Sequence, residues 1–389
     1  MKELELYIHI PFCVKKCNYC DFLSGSVDEQ TRQAYVERLC VELTQEASKL
    51  QNYQISTVFI GGGTPSLLFL TQTEQIMNAI YKNYKLADNK EITMEVNPGT
   101  CSAIKLKTYK SLGINRLSFG LQDTSNDRLK ALGRIHTYEE FLENYTQARK
   151  CGFDNINIDL LSALPDQTVK QYEDSLKKVC RLQPEHISAY SLIVEEGTPF
   201  FKWYGEENRL REEGKPIANP HLPSEEMERA MYELTKNILH SHGYERYEIS
   251  NYARTGKECR HNLGYWNRTS YRGFGLGAAS FLENTRFSNT SNLGEYLNTP
   301  EDVTIPCSER MVLSMQEQME ETMFLGLRKM AGVPKAEFYQ TFGRSMSQVY
   351  GDVMKKLISQ GLLSETRDAV YLTEEGVSVS NYVMAEFLL

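Results

Sequence analysis

Six short stretches rich in β-branched and aromatic residues recur through the first half of the chain, at 4–10, 57–60, 91–96, 116–119, 155–160 and 186–192. Segments of helical spacing lie between them, clearest at 105–112, 138–150 and 171–182. Ser26-x-x-Glu29 reads as a capping box. It opens a helix with apolar residues at Val36, Leu39, Leu43, Ala47 and Leu50. Parallel strands need a crossover connection, whereas antiparallel ones can be joined by a tight turn. Strand–helix alternation therefore predicts an α/β fold with a parallel sheet. Six such units predict a partial (β/α)6 barrel, in which chemistry sits at the C-terminal ends of the strands.

The second half reads differently. Residues 196–223 form a proline-rich connection, a helix is expected over 224–242, and 284–307 has the weak periodicity of a linker. A Met- and Glu-rich helix over 309–329, shorter helices and a strand pair around 361–373 predict a small α+β, winged-helix-like C-terminal domain. The expected division is 1–283 for the barrel with its extension and 300–389 for the C-terminal domain. Residues 301–389 carry 8 basic and 13 acidic side chains, and the whole chain has a net charge of −8. Nucleic-acid binding calls for a basic surface, so that class is set aside. No apolar run approaches the ~18 residues of a membrane span. The chain has no signal-peptide pattern, which predicts a cytoplasmic protein.

Three of the nine cysteines cluster as Cys13-Val-Lys-Lys-Cys17-Asn-Tyr-Cys20, directly after the first strand. Structural zinc takes four ligands, commonly as two separated pairs, and no second pair follows. Cytosolic disulfides are rare. Three thiolates at this spacing can instead hold three irons of a cubane 4Fe-4S cluster, leaving one iron open to a small molecule. That arrangement points to radical chemistry on S-adenosylmethionine (SAM). The other six cysteines are scattered singly, as buried apolar residues are.

Gly61-Gly62-Gly63-Thr64-Pro65 follows the second strand, where glycines let the backbone approach a ligand closely. Glu95, Gln122, Arg134 and Asp159 lie in or just after later strands. A polar group in an apolar strand is costly to bury without a partner, so such residues either line a site or form internal pairs. Together they match SAM, which offers an ammonium, a carboxylate and two ribose hydroxyls.

These motifs carry a resemblance. Tyr7-Ile-His-Ile-Pro-Phe-Cys13, the three cysteines, Gly-Gly-Gly-Thr-Pro, Ser118-Phe-Gly-Leu-Gln122-Asp and Asn157-Ile-Asp159-Leu resemble the radical-SAM family of oxygen-independent coproporphyrinogen III oxidases and their relatives. The resemblance covers about residues 4–282 and continues into the tail. It implies a cluster on Cys13, Cys17 and Cys20. It also implies SAM contacts from Tyr7, Tyr19, Gly62, Gly63, Thr64, Glu95, Gln122, Arg134 and Asp159.

One departure separates two branches. The oxidases carry a fourth cysteine two residues after the third, and here that position is Phe22. The chain is similar at this point to the heme-chaperone branch, HemW. His261-Asn262-Leu-Gly-Tyr265-Trp266 matches the H-N-x-x-Y-W signature of that branch. Chemically the motif offers an imidazole that can ligate iron and aromatic faces that can pack on a porphyrin. The other reading of the motif is a packed turn that shapes the domain.

The resemblance thus implies heme as ligand and a heme-acceptor protein, such as a respiratory cytochrome, as partner. A second copy of the chain is a candidate partner. A radical SAM enzyme of the coproporphyrinogen oxidase type is the alternative, and Phe22 counts against that activity.

Overall fold

The computed structural model describes residues 1–308 and 310–389. Six strands, β1 (Lys2–Ile10), β2 (Tyr53–Gly62), β3 (Leu86–Val96), β4 (Arg116–Gln122), β5 (Ile156–Ser162) and β6 (His186–Ser191), pair in parallel in chain order. They are joined through α1 (Glu29–Glu46), α2 (Leu70–Asn83), α3 (Ala103–Ser111), α4 (Asn126–Ala131), α5 (Tyr138–Lys150) and α6 (Val169–Arg181). This is the partial barrel that the alternation predicts.

Successive side chains on a strand point to opposite faces. Leu4, Leu6, Ile8 and Ile10 of β1 are fully buried and share one core with Tyr35, Val36, Leu39 and Leu43 of α1. The alternate residues of the strands face the barrel interior and are largely polar: Glu5, Tyr7 and His9; Thr57 and Phe59; Glu91, Thr93 and Glu95; Asn157 and Asp159. The barrel therefore has an apolar jacket and a polar lumen. Each strand's hydrophobic alternation fixes which residues meet inside.

After β6 come α7 (Pro199–Glu212) and α8 (Glu225–Ser241), then β7 (Glu245–Glu248) and β8 (Asn251–Ala253); β8 pairs antiparallel with β6 and β7 antiparallel with β8, extending the sheet. The proline-rich stretch thus contains a helix that its prolines conceal. Thr198 caps it and Pro199 sits in its first turn, where a missing N–H costs nothing. A short helix α9 (Arg260–Trp266) precedes β9 (Tyr271–Phe274), which pairs in parallel with β1. Next come β10 (Ala279–Leu282), β11 (Thr285–Ser288) and α10 (Leu293–Asn298).

The expected linker over 284–307 is corrected here. Tyr296 of α10 is fully buried, and its hydroxyl donates to Glu42 of α1 at 2.8 Å. The expected capping box from Ser26 is replaced by a simple N-cap: the Asp28 side chain accepts from the Thr31 N–H at the start of α1.

The remaining elements are β12 (Met311–Val312), α11 (Met315–Gly326), β13 (Val333–Pro334), α12 (Lys335–Phe342), α13 (Met346–Ser359), β14 (Leu363–Glu365), β15 (Ala369–Leu372), α14 (Glu374–Ser378) and α15 (Ser380–Ala385). The helix expected over 309–329 begins at Met315, and residue 309 lies outside the described residues. Met319, Met323, Phe338, Tyr350, Leu357, Val370 and Phe387 form a second core. β13, β15 and β14 make a three-stranded sheet against the helices, as a winged-helix-like module requires.

The two cores meet through backbone pairing. Ile249 N–H donates to Arg328 C=O at 3.1 Å, and Met330 N–H to Tyr247 C=O at 3.0 Å. Among the described residues no helix is long and apolar enough to cross a membrane.

Candidate functional site

The C-terminal ends of β1 to β5 gather most of the residues singled out in the sequence. The cysteine loop leaves β1 and is closed by backbone pairing: Cys13 N–H donates to Gly25 C=O at 3.0 Å and Gly25 N–H to Pro11 C=O at 2.9 Å, while within it Cys20 N–H donates to Cys17 C=O at 3.3 Å. All three cysteines are partly exposed and unpaired by disulfide. Burial pushes the Cys20 thiol up. Among the described residues no three metal-ligating groups converge on a single ion. A cubane takes one thiolate per iron, so its ligands surround a volume rather than a point.

A string of hydrogen bonds ties two of the thiols together. Thr64 Oγ1 donates to Cys13 Sγ at 3.6 Å, and Asn97 Nδ2 donates to Thr64 Oγ1 at 2.7 Å. Arg134 donates from Nη2 to Asn97 Oδ1 at 2.7 Å and from Nη1 to Cys17 Sγ at 3.5 Å. Its Nη2 also reaches the Gly120 C=O at 2.6 Å, while its Nε is buried without a partner. Asn97 was not among the sequence candidates. Its signal was present, because it stands two residues after Glu95 in the same Met-Glu-Val-Asn-Pro run.

The glycines act through close approach. Gly62 has φ +113°, and a Cβ there would lie 2.6 Å from the His9 ring. A Cβ on Gly63 would lie 2.8 Å from the Phe12 carbonyl oxygen. Gly62 N–H donates to Glu95 Oε2 at 3.0 Å.

Tyr7, in the middle of β1, shares a 3.0 Å hydrogen bond with His9 Nδ1, and His9 Nε2 meets the Leu23 carbonyl oxygen at 3.0 Å. That chain leads from the lumen to the far end of the cysteine loop. Tyr19 packs on Phe200, ring centroids 6.4 Å apart. Gln122 ends β4 with φ 73°, in the left-handed region uncommon for a non-glycine residue.

At two carboxylates in this layer burial outweighs the nearby guanidinium charge. Burial pushes Glu95 up to about 8, with the Asp159 charge adding to it. Burial also raises Asp159, although Asn157 Nδ2 donates to it at 2.7 Å. A layer with two strained carboxylates, a buried guanidinium N–H seeking an acceptor and a glycine edge suits a ligand carrying both a cation and a carboxylate.

His261 lies elsewhere. α9 seals the opposite, N-terminal end of the barrel, roughly 16 Å down β2 from Gly62 at the usual strand rise. There His261 Nδ1 bonds Thr57 Oγ1 at 2.6 Å and its Nε2 bonds the Tyr265 hydroxyl at 2.9 Å. The ring stacks on Phe59 at 5.1 Å and is 1 % exposed. Burial holds it down at about 3, so it is neutral. Both nitrogens are engaged, and neither is offered to a metal. Glu5 beside it is pushed up to about 9 by burial. A Cβ on Gly264 would collide with the Glu5 carboxyl group, so only glycine lets α9 lie this close to β1. Trp266 faces away from the floor, with the Arg328 guanidinium 4.4 Å from its ring centroid.

Residues 7–179 match the family model of the radical SAM superfamily, and residues 313–379 that of the HemN C-terminal domain. The chain is 39% identical over 383 residues to the heme chaperone HemW of Bacillus subtilis (strain 168), covering 98% of each. It is 33% identical over 399 residues to the heme chaperone HemW of Escherichia coli (strain K12), covering 100% of this chain and 99% of the relative. In fold it is similar to coproporphyrinogen III oxidase (HemN) from Escherichia coli, with a TM-score of 0.84 over 100% of this chain and 90% of that one, at 22% sequence identity. At that identity the likeness is one of architecture.

Proposed function

The chain belongs to the HemW family of radical SAM proteins, and from that premise we propose that it is a heme chaperone: it binds heme and hands it to an acceptor protein. The observation that carries the reading is the end-to-end match to two relatives named heme chaperones. Phe22 supports it, since it leaves no thiol at the fourth cysteine position of the oxidases and is largely exposed beside the loop.

The mouth of the barrel is the proposed site for a 4Fe-4S cluster on Cys13, Cys17 and Cys20 with SAM beside it. When bound, that pair supplies a route for an electron from iron to a sulfonium. The protein's part is positioning. Arg134 and Thr64 donate to two of the three sulfurs and so orient them. Glu95 and Asp159 are placed to accept from the ammonium and ribose hydroxyls, the unpartnered Nε of Arg134 to meet the carboxylate, and Gly62 and Gly63 to admit the methionine backbone. Tyr7, Tyr19 and Gln122 complete the proposed set. The acceptor proposed is an apo-cytochrome of a respiratory complex.

The test is an anaerobic titration of reconstituted protein with hemin, followed at the Soret band, beside an assay of coproporphyrinogen III with SAM and reductant. The reading expects saturation at one heme per chain and no carbon dioxide. Carbon dioxide released over many turnovers, without saturable heme binding, would establish the oxidase instead.

A further inference from the structure

Arginine carries only donors, so the Asn97 atom that meets Arg134 Nη2 at 2.7 Å is the acceptor Oδ1. The amide nitrogen of Asn97 then points the other way, and it donates to Thr64 Oγ1 at 2.7 Å. That contact makes the threonine oxygen an acceptor. Its single hydrogen is left for Cys13 Sγ at 3.6 Å. Arg134 Nη1 donates to Cys17 Sγ at 3.5 Å. One guanidinium thus sets the direction of a hydrogen-bond chain that ends on two of the three sulfurs.

We propose that Asn97 is a positioning residue that aims the Thr64 hydroxyl at Cys13, and that the Arg134–Asn97–Thr64 relay raises the reduction potential of a 4Fe-4S cluster held on Cys13, Cys17 and Cys20. The inference rests on the cluster reading above and adds what keeps the donors in place.

Three observations support it. First, Asn97 is pinned by its main chain as well as its amide. Its N–H donates to Ser66 Oγ at 3.1 Å, the Ser66 and Thr100 hydroxyls lie 2.6 Å apart, and Thr100 Oγ1 donates back to the Asn97 carbonyl at 2.6 Å. The ring closes with each hydroxyl donating once and accepting once. Turning the amide over would set two donors against each other at Arg134. Second, a Cβ on Gly120 would lie 3.0 Å from Asn97 Oδ1 and 3.3 Å from Arg134 Nη2, so glycine there gives the two side chains room to meet. Third, Thr64 is 3 % exposed, which shields its hydroxyl from competing water.

The sign follows from charge. One-electron reduction makes the cluster more negative, so a donor aimed at a ligand sulfur is worth more in the reduced state and the potential rises. Aspartate at position 97 has the shape of asparagine but only accepts. It would keep Arg134, draw the Thr64 hydrogen to itself, strip Cys13 of its donor and add a negative charge.

The experiment is a reductive titration of full-length reconstituted protein without SAM, followed by visible absorbance and by electron paramagnetic resonance of the reduced cluster. The parent is compared with Thr64→Val, Thr64→Ser, Asn97→Asp and the Thr64→Val, Asn97→Asp double variant, all close to the parent in shape. Iron and sulfide content and far-UV circular dichroism check each protein. Thr64→Val is expected to shift the equilibrium about tenfold toward the oxidised cluster, or ~59 mV for a one-electron couple. Thr64→Ser, which keeps the hydroxyl, is expected to hold the parent potential. Asn97→Asp is expected to lower the potential at least as far as Thr64→Val, and by less when Thr64→Val is already present, because only the added charge then remains. A loaded Thr64→Val protein with the parent potential overturns the relay. An equal shift from Asn97→Asp in both backgrounds overturns the role given to Asn97. A parent that takes up no 4Fe-4S cluster overturns the cluster reading, and the relay with it.

Discussion

Arg134 joins more of the mouth than any other side chain there. Its guanidinium touches Cys17, Asn97 and the Gly120 carbonyl, and one N–H is left over. Lysine cannot reproduce that planar fork. Arg134→Lys is therefore expected to weaken SAM binding to reconstituted protein roughly tenfold or more, the worth of one charge-assisted hydrogen bond, as isothermal titration would read.

Glu95 adds a pH dependence of known sign. Pushed up to about 8, it is mostly protonated at neutral pH and must ionise to pair with an ammonium. SAM affinity should rise as pH increases from 6 toward 8, and Glu95→Gln should flatten the rise. The gathering of these motifs at one end of the barrel was legible in the sequence at this scale, because they sit at strand ends and the strands are parallel. Asn97 escaped notice because an asparagine after a strand looks like any turn residue until its two partners are seen.

At the scale of the element, α9 shows how a motif can be read correctly as a string and misplaced as chemistry. The sequence offered a histidine beside aromatics. Only the fold shows the ring filling the barrel floor between Thr57 and Tyr265, in contact with Phe59. His261→Ala would open a cavity and strand two hydroxyls, so a loss of about 2–4 kcal/mol in denaturant unfolding is expected.

Glu5 next to it makes a separate prediction. Its value is raised from 4.5 to about 9 by burial, so the folded state holds a proton that the unfolded state releases. That contribution is complete below about 4.5 and is lost as pH rises toward 9. Glu5→Gln should remove this group's share of the stability loss across the same window, as thermal unfolding at a series of pH values would show. α7 and α10 were hidden from the sequence for opposite reasons. Pro199 looked like a breaker but stands in a first turn, and α10 is too short to show a period although Tyr296 anchors it.

For the whole molecule, the division into barrel and module was visible as a change from strand–helix alternation to helices with a strand pair. How the two meet was not, because the contacts come from residues distant in sequence. Glu321 of α11 receives Arg286 at 2.6 Å and Arg268 at 3.1 Å, all three at least partly buried. Glu321→Ala would leave two guanidinium groups facing each other. It is expected to cost about 3 kcal/mol and to separate the unfolding of the module from that of the barrel in calorimetry.

The cysteines occupy the barrel mouth, away from this junction. The most direct measurement is heme transfer. Protein carrying one heme, with its cluster reconstituted, is mixed with membranes that contain an apo-cytochrome of a respiratory complex, and the appearance of reduced cytochrome bands is followed with and without SAM. A Cys13→Ala, Cys17→Ala, Cys20→Ala variant serves as comparison. The account predicts that the parent delivers heme when SAM is present, whereas the triple variant binds heme and retains it. Delivery at the same rate by both proteins, or heme that never leaves the parent, would contradict it.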